Sequence, residues 1–184
     1  PEGIKRILMF IAHEYFHNYN VKRIRPFELG PFDYDKGNRT NLLWFSEGAT
    51  VYYEYLLVRR AGLTSDEDLL ANIENNINAT ENDPGLKHQS LIQASYNTWN
   101  DGPFGNAAGG PDRSISYYDK GPVVSMILDF AIRNATGNSK SLDDVMRFLY
   151  NRYYKEFRRG FTDAEFQNAC ENIAGTSLAP EFEY

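Results

Sequence analysis

Cysteine is almost absent. Cys170 is the one cysteine in 184 residues, so no internal disulfide can hold this fold. Long apolar runs are absent too, and nothing approaches the roughly 18 residues that a membrane span needs. Histidine is scarce, with only His13, His17 and His88. Positive charge is short: 19 Lys and Arg against 25 Asp and Glu leave a formal net charge of −6. That balance argues against nucleic acid as a partner, since phosphate binding asks for a basic face. The basic exception is one short cluster, Lys22-Arg23-Ile24-Arg25. No signal peptide opens the chain, and there is no initiating Met. It begins at Pro1 and enters a helical pattern within a few residues, so we expect a piece cut from a longer protein. Its lack of a targeting signal then carries no information about compartment.

Aromatic residues, by contrast, are plentiful. Thirteen Tyr and twelve Phe dominate a 15% aromatic share within 42% hydrophobic residues. This is the composition of a packed chain and not of a disordered one, and the length suits one domain with a sizeable core. Residues 1–184 are therefore expected to form a single domain.

Helical patterns dominate. Ile4, Ile7, Leu8, Ile11 and Ala12 recur at helical spacing with no Gly or Pro between them and His17, and this helix is expected to end near Asn18–Asn20. The stretch to Thr40 is rich in turn residues and reads as a long irregular loop. Its Phe27, Leu29, Phe32 and Tyr34 suggest that it packs down. A second helix is expected from Leu43 or Ser46 to Ala61, with Gly62 ending it. Thr64 or Ser65, followed by Asp66, Glu67 and Asp68, opens a third to about Ala79. Asp83-Pro84-Gly85 marks a turn, residues 89–98 a short helix, and residues 100–114 a glycine-rich loop. Further helices are expected from Lys120 to Ala135, from Ser141 to Phe157, and from the capping box of Thr162 and Glu165 to Ala174. No strong period-two strand is seen. The fold class is mainly α.

His13-Glu14-Tyr15-Phe16-His17 fits H-E-x-x-H on an expected helix. Residues four apart share a helix face, so both imidazoles can meet one zinc ion. Glu14 is displaced from that face and can serve a water without ligating the metal. A catalytic zinc needs a third protein ligand, and Glu47 in Trp44-Phe45-Ser46-Glu47-Gly48 is the candidate. Its bland alternative is a helix-start glutamate favoured by the helix dipole. Glu54, two turns further on, can accept a hydrogen bond from a ligating histidine; otherwise it is a solvated glutamate near Arg59 and Arg60. Arg23 and Arg25 suit either a substrate carboxylate or the pinning of their own loop. His88 reads as a surface residue, and Cys170 as a buried small apolar one.

These motifs resemble those of gluzincin metallopeptidases, including aminopeptidase N relatives. The string from His13 through Lys22-Arg23-Ile24-Arg25-Pro26, then Pro31-Phe32-Asp33-Tyr34, then Leu43 to Gly48, is similar to the glycyl aminopeptidase family within that clan. The 29 residues between His17 and Glu47 exceed the gap in aminopeptidase N proper. Tyr118-Asp119-Lys120-Gly121 is similar to the Tyr-x-Lys-Gly segment of both groups, and Ala169 to Gly175 also looks like the family. The resemblance covers most of the chain and is weakest at residues 64–112.

The resemblance implies the helical half of a thermolysin-like or aminopeptidase-N-like catalytic domain. It implies one Zn2+ ion on His13, His17 and Glu47, with Glu14 as general base. It points to Tyr118 as the group that stabilises the oxyanion, Tyr117 being the nearest competitor. It implies an aminopeptidase acting on peptides with small N-terminal residues such as Gly or Ala, in a bacterial, periplasmic or secreted parent. It also implies a β-rich part upstream of the first helix, of which this chain holds almost nothing. The isolated chain is therefore expected to bind zinc and to turn over peptides weakly or not at all. A zinc endopeptidase, and a non-catalytic scaffold on a peptidase fold, are the alternatives.

Overall fold

A computed structural model describes residues 2–104 and 113–183. The chain forms helices α1 (Glu2–Phe16), α2 (Ala49–Arg60), α3 (Asp66–Glu81), α4 (Leu91–Tyr96), α5 (Thr98–Asp101), α6 (Tyr117–Ala135), α7 (Leu142–Leu149), α8 (Asp163–Ala174) and α9 (Ala179–Phe182). No strand occurs among the described residues; the one β-bridge joins Pro26 to Phe161. No helix among them is long and apolar enough to cross a membrane.

Capping explains where several helices start. The Ser65 hydroxyl accepts from the Asp68 N–H at 3.2 Å, and Asp68 accepts in return from the Ser65 N–H at 3.0 Å. Thr162 and Glu165 make the same exchange at 3.3 and 2.9 Å. Ser116 was not foreseen as a cap. It accepts from the Tyr118 N–H at 3.2 Å, so α6 begins at Tyr117 and not at Lys120. Tyr118 thus lies in the first turn of a rigid helix.

Helix α6 is the spine. It packs against α2, α3, α7, α8 and a π-helical turn, Trp44–Gly48, that leads into α2. Val124, Leu128 and Ile132 are buried along it. Beside it, Phe45, Phe161 and Phe166 form an aromatic knot, with ring centroids 4.4 Å apart for Phe45–Phe166 and 5.9 Å for Phe45–Phe161. A fully buried Phe stabilises by about 1.5–3 kcal/mol through burial alone.

Other boundaries also shifted. The one helix expected over residues 89–98 is broken: α4 ends at Tyr96, and α5 starts at Thr98 and reaches into the segment expected as a loop; residues 105–112 of that segment lie outside the described residues. The helix expected to Phe157 changes register after Leu149 and continues as a π-helix over Tyr150–Phe157. The stretch after α1 is irregular apart from a 3₁₀ turn at Phe27–Leu29. Its aromatic residues do not pack down: Phe27 and Phe32 are half exposed and Tyr34 is 93% exposed. Their tip closes on its own polar groups, Asn38 and Asp33 accepting from the N–H groups of Asp33 and Asp35 at 3.0 Å each. Buried Ile24 and Thr40 hold the stretch instead, with the Phe27 N–H donating to the Phe161 carbonyl at 2.8 Å.

Candidate metal centre

Helix α1 ends at Phe16, short of the expected Asn18–Asn20, so His13 lies in its last turn and His17 one residue beyond; the His17 N–H still donates to the His13 carbonyl at 3.2 Å, which keeps the two imidazoles on one face. Glu47 comes from the π-turn that precedes α2. His13 Nε2 and His17 Nε2 both lie 3.3 Å from the same oxygen, Glu47 Oε2. One donor atom from each residue falls within 4.8 Å of the others.

The opposite nitrogens are already engaged. His17 Nδ1 is 2.7 Å from the Asn20 carbonyl, and a carbonyl only accepts, so Nδ1 carries the proton. His13 Nδ1 is 2.7 Å from Glu54 Oε2, which accepts likewise. A neutral ring held in this way turns its Nε2 lone pair toward Glu47. Three electron-pair donors face one point, an arrangement that asks for a cation. Tetrahedral zinc bonds of about 2.0–2.1 Å would put neighbouring donors about 3.3–3.4 Å apart. The two observed separations of 3.3 Å fit that edge length, and two imidazoles with one carboxylate suit zinc.

The surrounding carboxylates favour positive charge at this point. Burial works against a charged His13, but hydrogen bonds to Glu47 and Glu54 prevail and raise its pKa to about 9. His17 is likewise raised, burial being outweighed by Glu47 and the Asn20 carbonyl. Burial would lift Glu47, but hydrogen bonds from both histidines bring it down to about 2. Glu54 is raised, chiefly by its own burial, which His13 offsets only in part and Glu14 reinforces.

A cleft of about 490 Å³ opens beside this cluster, and His13, Glu14, Glu54 and Tyr118 line it. Glu14 is exposed there, next to the donors and outside their ring. The Tyr118 ring stacks 6.2 Å from that of His13. Burial, together with the negative charge of Glu47, pushes the Tyr118 phenol upward and keeps its proton in place. Tyr117 turns the other way: it is 4% exposed and its hydroxyl meets Thr98 Oγ1 at 3.0 Å. Of the two tyrosines, Tyr118 is the one at the cleft.

Two features escaped the sequence reading. Gly48 and Gly121 form one contact: a Cβ on Gly48 would stand 2.5 Å from the Gly121 Cα and 2.8 Å from the Tyr117 carbonyl oxygen. Only glycines allow the Glu47 turn to approach the first turns of α6 so closely, and that approach brings Glu47 beside Tyr118. The glycines of the Glu-Gly and Tyr-x-Lys-Gly motifs are therefore partners. Asn20, fully buried, donates to the Phe45 carbonyl at 2.9 Å and to Thr50 Oγ1 at 3.2 Å. It fastens the turn after α1 to the turn that carries Glu47, while its own carbonyl orients His17. A polar Asn beside a histidine helix gives no sequence signal for that double task.

The other sequence candidates fall away from the cluster. His88 is exposed. Cys170 is fully buried, and burial pushes its thiol upward, as suits an inert packing residue. Arg23 donates to the Asn18 carbonyl, and the Arg25 guanidinium lies against Gly30.

The whole described chain superposes on a solved aminopeptidase N family protein from Idiomarina loihiensis with a TM-score of 0.91 and 24% identity. That likeness is one of fold, the mainly α part of an aminopeptidase-type domain. It covers 100% of this chain and 31% of that one, so this chain spans about a third of that protein's length. No curated protein sequence matches. The family model for M61 glycyl aminopeptidases matches residues 6–124, more than half of the chain and every residue of the cluster, and the chain belongs to that family.

Proposed function

We propose that this chain carries the zinc centre of a peptidase that hydrolyses peptide bonds. The observation that carries the proposal is the meeting of His13 Nε2 and His17 Nε2 on one oxygen of Glu47, with both Nδ1 atoms already held. His13, His17 and Glu47 would hold the zinc, and Glu54 and the Asn20 carbonyl keep the two rings in the required tautomer and orientation. Bound there, zinc supplies Lewis acidity that brings a water's pKa toward neutrality.

The remaining steps belong to the protein. Glu14, exposed at the cleft and free of the donor ring, takes the proton of the attacking water and returns it to the leaving amine. Tyr118, held protonated, donates its O–H to the oxyanion that forms on the scissile carbonyl. Family membership supports an aminopeptidase reading with a preference for small N-terminal residues, Gly or Ala. We further propose that a β-rich part of the same protein completes the substrate cleft. Peptide turnover by the 184-residue chain alone is then weak or absent.

The test is Glu14→Gln in the full-length protein. Zinc content should be unchanged and turnover should fall about 10²–10⁴-fold. Unchanged turnover would remove Glu14 as the base. A wild-type protein that binds zinc but cleaves no peptide would favour a scaffold. Equal cleavage of peptides with blocked amino termini would favour an endopeptidase.

A further inference from the structure

A second cavity, of about 390 Å³, lies away from the metal cleft and is walled by Lys22, Arg23, Arg25, Lys155, Arg158 and Arg159. Six cations around one cavity are unexpected in a chain of net charge −6. Two segments far apart in sequence supply them: the turn after α1, and the end of the π-helix Tyr150–Phe157 with the two residues that follow it.

Internal partners do not account for the charge. Arg159 is paired with Glu165 at 2.6 Å. Among the described residues, Lys22, Arg23, Arg25, Lys155 and Arg158 make no ion pair. Two helix ends, if both faced the cavity, would contribute about one negative charge between them. With Glu165 counted as well, about four positive charges remain uncompensated. Arg23 and Lys155 lie over the Tyr154 and Tyr150 rings at 5.9 and 5.0 Å, so aromatic faces support the cations without neutralising them.

The backbone at the rim is also unusual. Arg158 ends the π-helix in the left-handed region, with φ of 53°, where glycine or asparagine is the usual choice. A side chain that long in such a conformation is a strained position of the kind that gathers at binding sites. Here it puts a guanidinium on the cavity wall.

We propose that this cavity is a binding site for a small, multiply charged oxyanion of the phosphate class. Arginine guanidinium groups bind phosphoryl oxygens in pairs, and lysines add point charge. The cavity's size is in the range of small-ligand pockets and exceeds what one phosphate fills, so a ligand with two phosphoryl groups is the better fit.

The experiment is calorimetric titration of the purified, zinc-loaded protein with inorganic phosphate and with inorganic pyrophosphate, at constant ionic strength. Lys22→Gln/Lys155→Gln and Arg158→Asn serve as pocket variants. All three side chains are exposed, and Asn tolerates the left-handed backbone, so the variants keep the fold; thermal unfolding confirms it. We expect one-to-one binding, tighter for pyrophosphate than for phosphate, and weakened at least about tenfold in each variant. The inference is overturned if pyrophosphate binds the variants as tightly as the wild type, because the anion then sits elsewhere, as on the zinc. It is equally overturned if no binding appears by about 1 mM.

Discussion

Helices α1 and α8 are similar in length, 15 and 12 residues, and are held in opposite ways. Helix α8 buries Phe166, Ala169, Cys170 and Ala174, takes a capping box at its start and ends on Gly175 in the left-handed conformation. Helix α1 buries His13 alone among its described side chains, and leaves Ile4, Ile7 and Ile11 more than half exposed. What ties α1 down is polar or terminal: the Lys5–Asp68 pair at 2.6 Å, the His13–Glu54 bond at 2.7 Å and the Phe16 ring stacked 4.7 Å from Tyr53. The helix that presents the donors is fastened through a donor, while α8 is fastened through apolar burial and bears no chemistry. Stability and metal binding should therefore separate along this line.

The largest effect is expected on the structural side. Phe166→Ala should cost about 3–5 kcal/mol of unfolding free energy in denaturant titrations, because it empties the centre of the aromatic knot. Zinc bound per folded molecule should stay the same. A cost below about 1 kcal/mol would mean that α8 is not the anchor its burial suggests. On the α1 side, Glu54→Ala should weaken zinc binding by about 10–100-fold in competition with a chelator, since the His13 ring loses the partner of its Nδ1–H. Undiminished affinity would demote Glu54 to a packing residue. Thr162→Ala removes only a cap from α8 and should cost about 1 kcal/mol, again with zinc binding untouched.

Helical spacing and H-E-x-x-H are local properties, and so the sequence already showed α1 and the histidine pair. Glu47 was legible because Glu-Gly follows a loop long enough to double back. What stayed hidden depends on contact between distant segments. Gly48 and Gly121 are each ordinary in sequence, and their meaning appears only where the backbones meet. Tyr117 and Tyr118 differ by about 100° of helical rotation, which separates the core from the cleft; the choice turns on where α6 starts, and hence on Ser116. Asn18 and Asn20 look alike on paper, yet Asn18 bonds locally to the Tyr15 carbonyl while Asn20 is buried beneath Thr50 and the Phe45 carbonyl. The π-helical turns are a matter of hydrogen-bond register, for which side-chain periodicity carries no signal.

The smallest expected effect is the one that sharpens the comparison most. Ile7 and Ile11 recur at helical spacing and marked α1 in the sequence, yet they are 59% and 56% exposed. Little burial is lost if both become serine, and serine has about the helix propensity of isoleucine. In the 184-residue chain, Ile7→Ser/Ile11→Ser should change unfolding free energy by no more than about 0.5 kcal/mol per site and leave zinc affinity alone. In the full-length protein the same pair tests the proposed β-rich part. If that part covers the apolar face of α1, each substitution strands or removes a buried side chain and costs more than about 1 kcal/mol. Equal, near-zero costs in both proteins would mean that the face stays in solvent and that the cleft is completed elsewhere.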